Sequence, residues 1–326
     1  MPAVPSNVRG GVITGWGTAL PDKVVTNADL EATMDTSDEW IRERTGIHER
    51  RVGGSTASLS IESGRKALEM AGVDPSDIDG LVLATTTPDR AVPATASTVQ
   101  EGLGLSCGAY DVNAACSGFM YALVQAHGMI AMGAEKILVI GTDTLSRITD
   151  WDDRNTAILF ADGSGAVVIE AHESANQLLS WHLDSDGAAE QHLYADHGGY
   201  LIMEGREVFR RAVRIMVNSA QKTFAAADVT ADDVALVVPH QANIRIISAA
   251  VDRLGIPLER TAVVLHRTGN TSSASVPLAL IDALDDGRLQ PGEHLLMVGF
   301  GAGMSAAAAV LQWRPDLAAA RKDATP

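Results

Sequence analysis

The sequence predicts a layered α/β fold in which two similar halves, each containing a mixed sheet and helices, are fused into one unit. Short apolar runs that look like buried strands alternate with helical patterns along the chain, and the same order of elements occurs twice. The chain has 326 residues, 46% of them hydrophobic, which is enough to bury one large core or two fused half-size cores.

The strands are predicted from short apolar runs flanked by turn residues. These runs lie at Gly11–Trp16, Leu81–Ala84, Ile137–Ile140, Ala166–Ile169, Val234–Val238 and Leu295–Val298. The helices are predicted where apolar residues recur at three- and four-residue steps. These segments are Leu59–Met70, Ser117–Met132, Val208–Phe224, Asn243–Leu254 and Thr271–Leu284. The last residues, Pro315–Pro326, are expected to form a polar tail.

An internal duplication is the most informative pattern. The first half contains SDIDGLVLATTTPD, NAACSGFMYAL, KILVIGTD and GSGAVVIEA, and the second contains ADDVALVVPHQAN, GNTSSASVPLALIDAL, HLLMVGFGAG and SAAAAVLQW. We place the halves at residues 1–174 and 175–326, because polar residues separate two strand-like runs within Ala171–Leu179. If a pseudo-twofold axis relates the halves, their strand-to-helix corners converge on one site.

Composition excludes several classes of function. Lys and Arg total 25 against 41 Asp and Glu, so the net charge is −16 and nucleic acid is an unfavourable partner. The two cysteines, Cys107 and Cys116, do not suggest a disulfide framework, which fits a reducing compartment. No apolar stretch approaches the roughly 20 residues that span a bilayer. We expect a cytoplasmic protein with no membrane partner.

Cys116 is the candidate nucleophile, because it lies at the predicted start of an apolar helix, where backbone N–H groups stabilise an anion and lower a thiol pKa. The alternative is a small buried hydrophobe, and we keep that interpretation for Cys107.

His240 follows an apolar strand and Pro239, a common place for a catalytic residue, although it could equally be a hydrogen-bonded core histidine. Asn270 precedes a predicted helix and could be an ordinary N-cap.

The segment from Gly299 to Ala306 places glycines where a strand ends, so that backbone N–H groups can approach a ligand oxygen closely. It is not a dinucleotide fingerprint, because it reads GxGxG and an alanine-rich run follows.

The histidines at 182, 192 and 197 lack the spacing that metal ligands show on a helix or hairpin. We expect neither a metal site nor a bound prosthetic group.

With these pieces the chain resembles the β-ketoacyl-ACP synthase III family, the initiating condensing enzymes of fatty-acid synthesis, where ACP is acyl carrier protein. The resemblance rests on TSDEWIRERTGI, AACSGFMYAL, DRNTAILFADGSGAVV, VPHQANIRIIS, GNTSSASVPLAL and GFGAG, in the family's order. It implies the thiolase fold, a homodimer and a Cys–His–Asn triad on Cys116, His240 and Asn270. It also implies an oxyanion site built from the backbone of Cys116, Ala302 and Gly303.

The resemblance further implies how the substrates, an acyl-coenzyme A (acyl-CoA) primer and malonyl-ACP, are recognised. Matching positions for the coenzyme A nucleotide are Trp40, Arg44, Arg154 and Asn243. Matching positions for ACP are Arg210, Arg211, Arg214, Arg245 and Arg253, although each could simply lie on a solvated helix face. The acyl pocket is assigned to Val92, contributed across the dimer, and Phe300.

Two departures from the family pattern affect the substrates. The stretch between Asp186 and Met203 is shorter than is usual in the family and borders the coenzyme A channel. The identity of the carrier that delivers the acyl group therefore stays open. Val92 is modest where acetyl-selective members have a large aromatic side chain, so longer or branched primers become possible.

Other functions stay open at this point. An acyltransferase that moves an acyl group to a hydroxyl or amine would need the same fold and nucleophile. A thiolase proper needs a second working cysteine, which GFGAG does not supply. A non-catalytic acyl- or coenzyme-A-binding protein would not require intact Cys, His and Asn, and a papain-like hydrolase does not suit the duplicated α/β order.

Overall fold

The computed structural model describes residues 3–5, 8–173, 175–315 and 317, and its strands form two large sheets and two small ones. The strands in chain order are β1 (Gly10–Ala19), β2 (Val24–Thr26), β3 (Glu49–Arg51), β4 (Gly80–Ala84), β5 (Gly108–Val112), β6 (Lys136–Thr144), β7 (Asp162–His172), β8 (Leu178–Ser185), β9 (Leu193–Tyr194), β10 (Ile202–Met203), β11 (Val234–Pro239), β12 (His294–Gly301) and β13 (Ser305–Gln312).

The α-helices lie between and outside these sheets. In chain order they are α1 (Asn27–Glu31), α2 (Asp38–Thr45), α3 (Thr56–Ala71), α4 (Thr95–Leu103), α5 (Gly118–Ala131), α6 (Arg154–Ala157), α7 (Gly205–Ala227), α8 (Ile244–Leu254), α9 (Leu265–Thr268) and α10 (Ser275–Asp285).

The two large sheets repeat one topology, which confirms the predicted duplication. The first sheet has the order β1-β7-β6-β4-β5, and the second has the order β8-β13-β12-β11 when read in the same direction. In the first sheet β6 and β5 run parallel to β4, whereas β7 is antiparallel to both β6 and β1. In the second, β11 is parallel to β12 and the other neighbours are antiparallel. Both sheets are mixed, as predicted.

Strand side chains alternate between two cores, because successive residues of a strand point to opposite faces. On β12, Leu295 and Met297 belong to the central core, whereas Leu296 and Val298 face the outer one. The central core also holds α5 and α10, so these two helices lie between the sheets. Helices α3 and α4 cover the outer face of the first sheet, and α7 and α8 cover that of the second. The layered α-β-α-β-α arrangement is therefore confirmed.

Helix α3 lies unusually close to β1, and glycines make this possible. A Cβ atom at Gly15 would stand 2.4 Å from the carbonyl oxygen of Ala67, and one at Gly17 would stand 2.4 Å from that of Ser63. Real Cβ atoms do not approach backbone so closely. The outer helix layer therefore seats directly on the strand backbone, which fixes the spacing of the layers.

Two predicted helices begin later than the sequence pattern suggested. Helix α5 starts at Gly118 and α10 starts at Ser275, and each follows a single 3₁₀ turn. The turns contain Ala115 at φ 49° and Ser272 at φ 51°, both in the left-handed region that non-glycine residues rarely occupy. The residues of these turns are small and include no glycine or proline, so the sequence pattern alone does not reveal them.

The first large sheet ends with His172 and the second begins with Leu178, so the predicted division at residues 174 and 175 falls between the sheets and stays a prediction. Ser174, Asp316 and residues 318–326, which include most of the predicted tail, lie outside the described residues. Within the described ranges, no helix is long and apolar enough to cross a membrane.

Candidate active site

The structure brings Cys116, His240 and Asn270 together at one cavity of about 140 Å³, which we call the inner cavity. Cys116 lies in the 3₁₀ turn before α5, and His240 follows the last residue of β11. Asn270 lies between α9 and the 3₁₀ turn that leads into α10. The convergence predicted from the duplication thus places side chains from both halves around the same space.

Cys116 lies where two cavities meet. It also lines a larger space of about 900 Å³, the outer cavity, together with Ser272, Ala302 and Gly303. The turn of Cys116 approaches β12 so closely that a Cβ at Gly301 would stand 2.6 Å from the Cys116 backbone nitrogen. At Gly299 a Cβ would stand 3.2 Å from the His240 Cβ. Gly299 and Gly301 of the GFGAG segment therefore have a steric role, because they leave space for the Cys116 turn and for His240.

The Cys116 thiol is protonated in the resting site. Its residue is half-buried, and the exposed part faces the cavities rather than bulk water. Burial raises the thiol pKa to about 12, and the negative charge of Asp143 adds to this, whereas a hydrogen bond with Ser272 opposes it. A backbone hydrogen bond at Cys116 lowers this pKa, as the sequence predicted, but desolvation outweighs it, so the net shift is opposite to the lowered thiol pKa that was expected.

His240 is buried and neutral. Burial lowers its pKa to about 3. Its backbone N–H donates to Val298 at 2.8 Å, and its ring packs edge-on against Phe300 with the ring centroids 5.3 Å apart. Nδ1 lies 2.6 Å from the hydroxyl oxygen of Ser275. Within the described part of the chain no group is bonded to Nε2, and the ring lines the inner cavity.

Asn270 is held by its backbone and by its side-chain oxygen. Its N–H donates to Leu159 at 2.9 Å, and its carbonyl accepts from the Ala161 N–H at 2.9 Å. Oδ1 accepts from the Ser272 N–H at 3.0 Å, and within the described residues the Nδ2 group has no hydrogen-bond partner. Asn270 therefore does not cap α10, which starts five residues later; it closes the turn that precedes the helix.

Asp143 joins the two halves behind the site and was missed by the sequence reasoning. It is fully buried at the end of β6, and its Oδ1 accepts hydrogen bonds from the backbone or hydroxyl groups of Thr85, Thr86 and Thr87. Its Oδ2 accepts from the Ser273 N–H at 2.9 Å and from the Ser273 hydroxyl at 2.6 Å. The run of three threonines after β4 was the available signal.

The acyl-pocket residues implied by the resemblance lie apart in a single chain. Phe300 lines the inner cavity beside His240 and is absent from the residues around the outer cavity. Val92 lines neither cavity and is 84% exposed. The outer cavity is instead bordered by Tyr121, Leu145 and Phe160, among others.

The four positions matched to the coenzyme A nucleotide form one cluster. The guanidinium carbons of Arg44 and Arg154 lie 4.7 and 4.9 Å from the centre of the Trp40 ring. The Asn243 amide donates to the Arg44 carbonyl at 2.9 Å, and Asn243 also lines the inner cavity. A flat aromatic surface with two cations therefore stands next to the cavity that reaches Cys116.

The arginines matched to ACP lie on α7 and α8, which pack against each other. Arg210 is paired with Glu207 at 2.7 Å, and Arg211 lies 3.3 Å from Asp186. Arg245 places its guanidinium 5.7 Å from the ring centre of Phe209. Arg214 and Arg253 are exposed, and the described residues include no ion-pair partner for either. The cluster is cationic, although two of its members are partly neutralised.

No group of three His, Cys, Asp or Glu side chains within the described ranges is arranged to hold a metal ion. Cys107 borders neither cavity and is half-buried, with burial raising its pKa. The groups that Cys116, His240 and Asn270 bring to the site are one thiol, one neutral imidazole and one amide.

Comparison with known families places the whole chain in one family. The chain matches the family described as 3-oxoacyl-acyl-carrier-protein synthase III over residues 110–187, and its C-terminal counterpart over residues 224–313. A protein of Roseiflexus castenholzii named β-ketoacyl-acyl-carrier-protein synthase III is 48% identical over 321 residues, with 92% of this chain and 97% of that protein covered.

Solved structures show the same fold. The 3-oxoacyl-acyl-carrier-protein synthase III of Aquifex aeolicus has a TM-score of 0.92 at 42% identity, covering 93% of this chain and all of that one. The priming β-ketosynthase of a polyketide biosynthetic pathway has a TM-score of 0.90 at 34% identity, covering 95% and 98% of the two chains. These similarities confirm the thiolase-like fold class inferred from the sequence.

Proposed function

The chain belongs to the β-ketoacyl-ACP synthase III family, and on that premise we propose that it condenses an acyl-CoA primer with malonyl-ACP to give a 3-oxoacyl-ACP. The observation that carries the proposal is the meeting of Cys116, His240 and Asn270 at one cavity, although Cys116 lies more than a hundred residues before the other two in the sequence. This reaction initiates fatty-acid synthesis or a related polyketide pathway.

In the first half-reaction Cys116 Sγ attacks the thioester carbonyl carbon of the acyl-CoA. A carbon–sulfur bond forms to Cys116, the bond to coenzyme A breaks, and the thiol proton leaves with the coenzyme A thiol. The developing oxyanion is stabilised by backbone N–H groups of Cys116 and of the Ala302–Gly303 turn, which lines the outer cavity with the cysteine.

In the second half-reaction malonyl-ACP loses carbon dioxide. The resulting enolate is stabilised by N–H donors of His240 and Asn270, and its carbon attacks the acyl-enzyme carbonyl. A carbon–carbon bond forms, the bond to Cys116 breaks, and the released thiolate takes up one proton. The low pKa of about 3 for His240 supports this role, because the ring stays neutral and cannot place a positive charge in the site at working pH.

The carriers are recognised by the two cationic features beside the inner cavity. The Trp40 ring with Arg44 and Arg154 offers stacking and charge to the nucleotide part of coenzyme A, and Asn243 links this cluster to the cavity. Exposed arginines on α7 and α8 offer charge to the acidic carrier protein, on a chain whose net charge is otherwise −16.

The functional unit is a homodimer in the cytoplasm. In a single chain Val92 is 84% exposed and the outer cavity has a volume of about 900 Å³. In the proposed dimer, the Val92 loop of each chain would be buried against the outer cavity of the other. Sedimentation velocity should give twice the chain mass. A monomer at micromolar concentration with full activity would contradict the dimer.

The function is tested by incubating the protein with a panel of acyl-CoAs, measuring its intact mass, and then adding malonyl-ACP and measuring carbon dioxide. We expect one acyl adduct per chain, absent in Cys116→Ala, followed by carbon dioxide release and a 3-oxoacyl product. The largest adduct formed reports the size of the acyl pocket. Acyl transfer to a hydroxyl or amine without release of carbon dioxide would show that the protein is a simple acyltransferase and not a condensing enzyme. The absence of any adduct would indicate a non-catalytic binding protein.

A further inference from the structure

We propose that Ser275 is a positioning residue that holds His240 in the tautomer with its proton on Nε2. The inference rests on the proposed function for its catalytic meaning, but the tautomer itself can be observed without any turnover. Neutral histidine carries one ring proton, and the hydrogen bond made by one ring nitrogen decides which nitrogen keeps it.

The hydrogen bonds around the Ser275 hydroxyl decide its role. Its oxygen lies 2.6 Å from His240 Nδ1 and accepts from the Gln241 N–H at 3.3 Å. A hydroxyl has only one hydrogen to donate. In the described part of the chain His240 Nδ1 is the only acceptor within reach of that hydrogen. The hydroxyl therefore donates to Nδ1, Nδ1 carries no proton, and the proton lies on Nε2.

The backbone around this contact is fixed on both sides. Ser275 is the first residue of α10 and is 1% exposed, as is His240. Gln241 is fully buried, and its side-chain oxygen accepts from the Val264 N–H at 2.9 Å, which holds the segment after β11 in place. The serine and the imidazole therefore cannot separate without moving β11 or α10.

The consequence is a matched pair of donors at the inner cavity. Ser275 directs the Nε2–H of His240 to the cavity, just as the Ser272 N–H takes up Asn270 Oδ1 and leaves the Nδ2–H groups free to donate. Two N–H donors on one space suit an enolate oxygen, which needs donors and repels lone pairs. With the proton on Nδ1 instead, Nε2 would present a lone pair to that oxygen.

The tautomer is read directly by ¹⁵N–¹H correlation spectra of the histidine-labelled protein, with His240 assigned from its loss in His240→Asn. We expect a protonated Nε2 and an unprotonated, hydrogen-bonded Nδ1 in the wild type. In Ser275→Ala the Nδ1 resonance should move downfield, because its hydrogen-bond donor is gone. A proton on Nδ1 in the wild type would overturn the inference.

Kinetics supply the second readout. Ser275→Ala should lower carbon dioxide release from malonyl-ACP by about 10- to 100-fold while leaving the rate of acylation by acyl-CoA within about twofold. Ser60→Ala removes another fully buried hydroxyl, one that bonds to Thr142 and borders neither cavity, and should change neither step. Equal loss of both steps in Ser275→Ala would overturn the positioning role. If the wild type releases no carbon dioxide, the proposed function fails, while the spectrum still decides the tautomer.

Discussion

At the scale of single residues, the main consequence of the structure is that Cys116 rests as a thiol rather than as an anion. Withdrawal from bulk water raises its pKa to about 12, and Asp143 strengthens the effect. A protonated resting sulfur is protected from oxidation and alkylation, since the thiolate is the reactive form. It also recovers its proton readily when the condensation product leaves.

This protonation state predicts the pH profile of chemical labelling. In a Cys107→Ala background, the rate of Cys116 alkylation by iodoacetamide should keep rising with pH through pH 9, since the thiolate fraction still grows tenfold per pH unit far below a pKa of about 12. Intact-mass measurement against time at each pH gives the rate. A plateau below pH 8 would instead mean an anion stabilised by the start of α5.

Gly301 is the residue whose role is purely steric. A methyl group there would stand 2.6 Å from the Cys116 nitrogen, so Gly301→Ala should displace the cysteine turn and slow acylation by about 100-fold. Gly128→Ala is the matched control: it is an exposed glycine of α5 with nothing within 4 Å, and alanine there should stabilise the protein by about 0.5–1 kcal/mol. Normal acylation in Gly301→Ala would show that the contact is not limiting.

At the scale of elements, the two turns that lead into α5 and α10 are copies of each other. The first has Asn113, a left-handed Ala115, a 3₁₀ turn and a helix beginning at Gly118; the second has Asn270, a left-handed Ser272, a 3₁₀ turn and a helix beginning at Ser275. Each asparagine oxygen accepts from the N–H two residues on, at 3.2 and 3.0 Å. One corner presents a thiol and the other an amide, so the duplicated unit has diverged into complementary parts of one site.

Asp143 is the element-scale link between these corners, since it binds the turn after β4 and the turn before α10. Asp143→Asn keeps the shape but faces the Ser273 donors with an NH₂ group, and should lower the free energy of unfolding by about 3 kcal/mol. It should also move the alkylation profile of Cys116 to lower pH, because a negative charge that raises the thiol pKa is removed.

Urea denaturation and the same labelling assay measure these two effects. Asp152→Asn removes an exposed carboxylate and should change the unfolding free energy by less than about 0.5 kcal/mol. If the Asp143→Asn protein were as stable as the wild type and had an unchanged labelling profile, Asp143 would neither stabilise the junction of the halves nor raise the pKa of Cys116.

At the scale of the whole molecule, burial of neutral histidines predicts acid sensitivity. Burial lowers the pKa of His127 from 6.5 to about 4. Above pH 6.5 both folded and unfolded chains are neutral at this position and stability is unaffected. Below it the unfolded chain binds a proton that the folded chain refuses, so stability falls by about 1.4 kcal/mol per pH unit down to about pH 4.

His127→Leu isolates this contribution, because leucine is apolar and fills the same position in α5. Between pH 7 and pH 5 the variant should lose about 2 kcal/mol less unfolding free energy than the wild type, as measured by urea denaturation at the two pH values. The same loss in both proteins would mean that His127 is protonated without penalty in the folded chain.

Much of the fold follows from the sequence, because a duplicated order of apolar strands and helices has few ways to bury both faces of each sheet. Strands such as β12 were found within a few residues of their true ends. Helices α2 and α4, by contrast, were missed. The turns at Ala115 and Ser272 were missed because their left-handed residues are not glycines.

The site divides in the same way. Cys116, His240 and Asn270 were predicted as site residues because each follows a strand or precedes a helix and matches a family motif, and the structure brings them to one cavity. Asp143 and Ser275 were not identified, because a buried carboxylate within a strand and a serine at a helix start acquire meaning only through contacts across the halves. The expected lowering of the Cys116 thiol pKa was also wrong in its net direction, because the desolvation of a side chain cannot be inferred from its neighbours in the sequence.

The central claim is that the two halves divide the labour: the first carries the acyl group on sulfur, and the second stabilises the enolate. Its most direct test is Asn270→Ala, assayed by intact mass for the acyl-enzyme and by carbon dioxide release from malonyl-ACP. We predict that the acyl adduct forms at the wild-type rate while carbon dioxide release falls by about 100- to 1,000-fold, as expected when one oriented donor is lost. If Asn270→Ala slowed both steps to the same extent, this division would be contradicted.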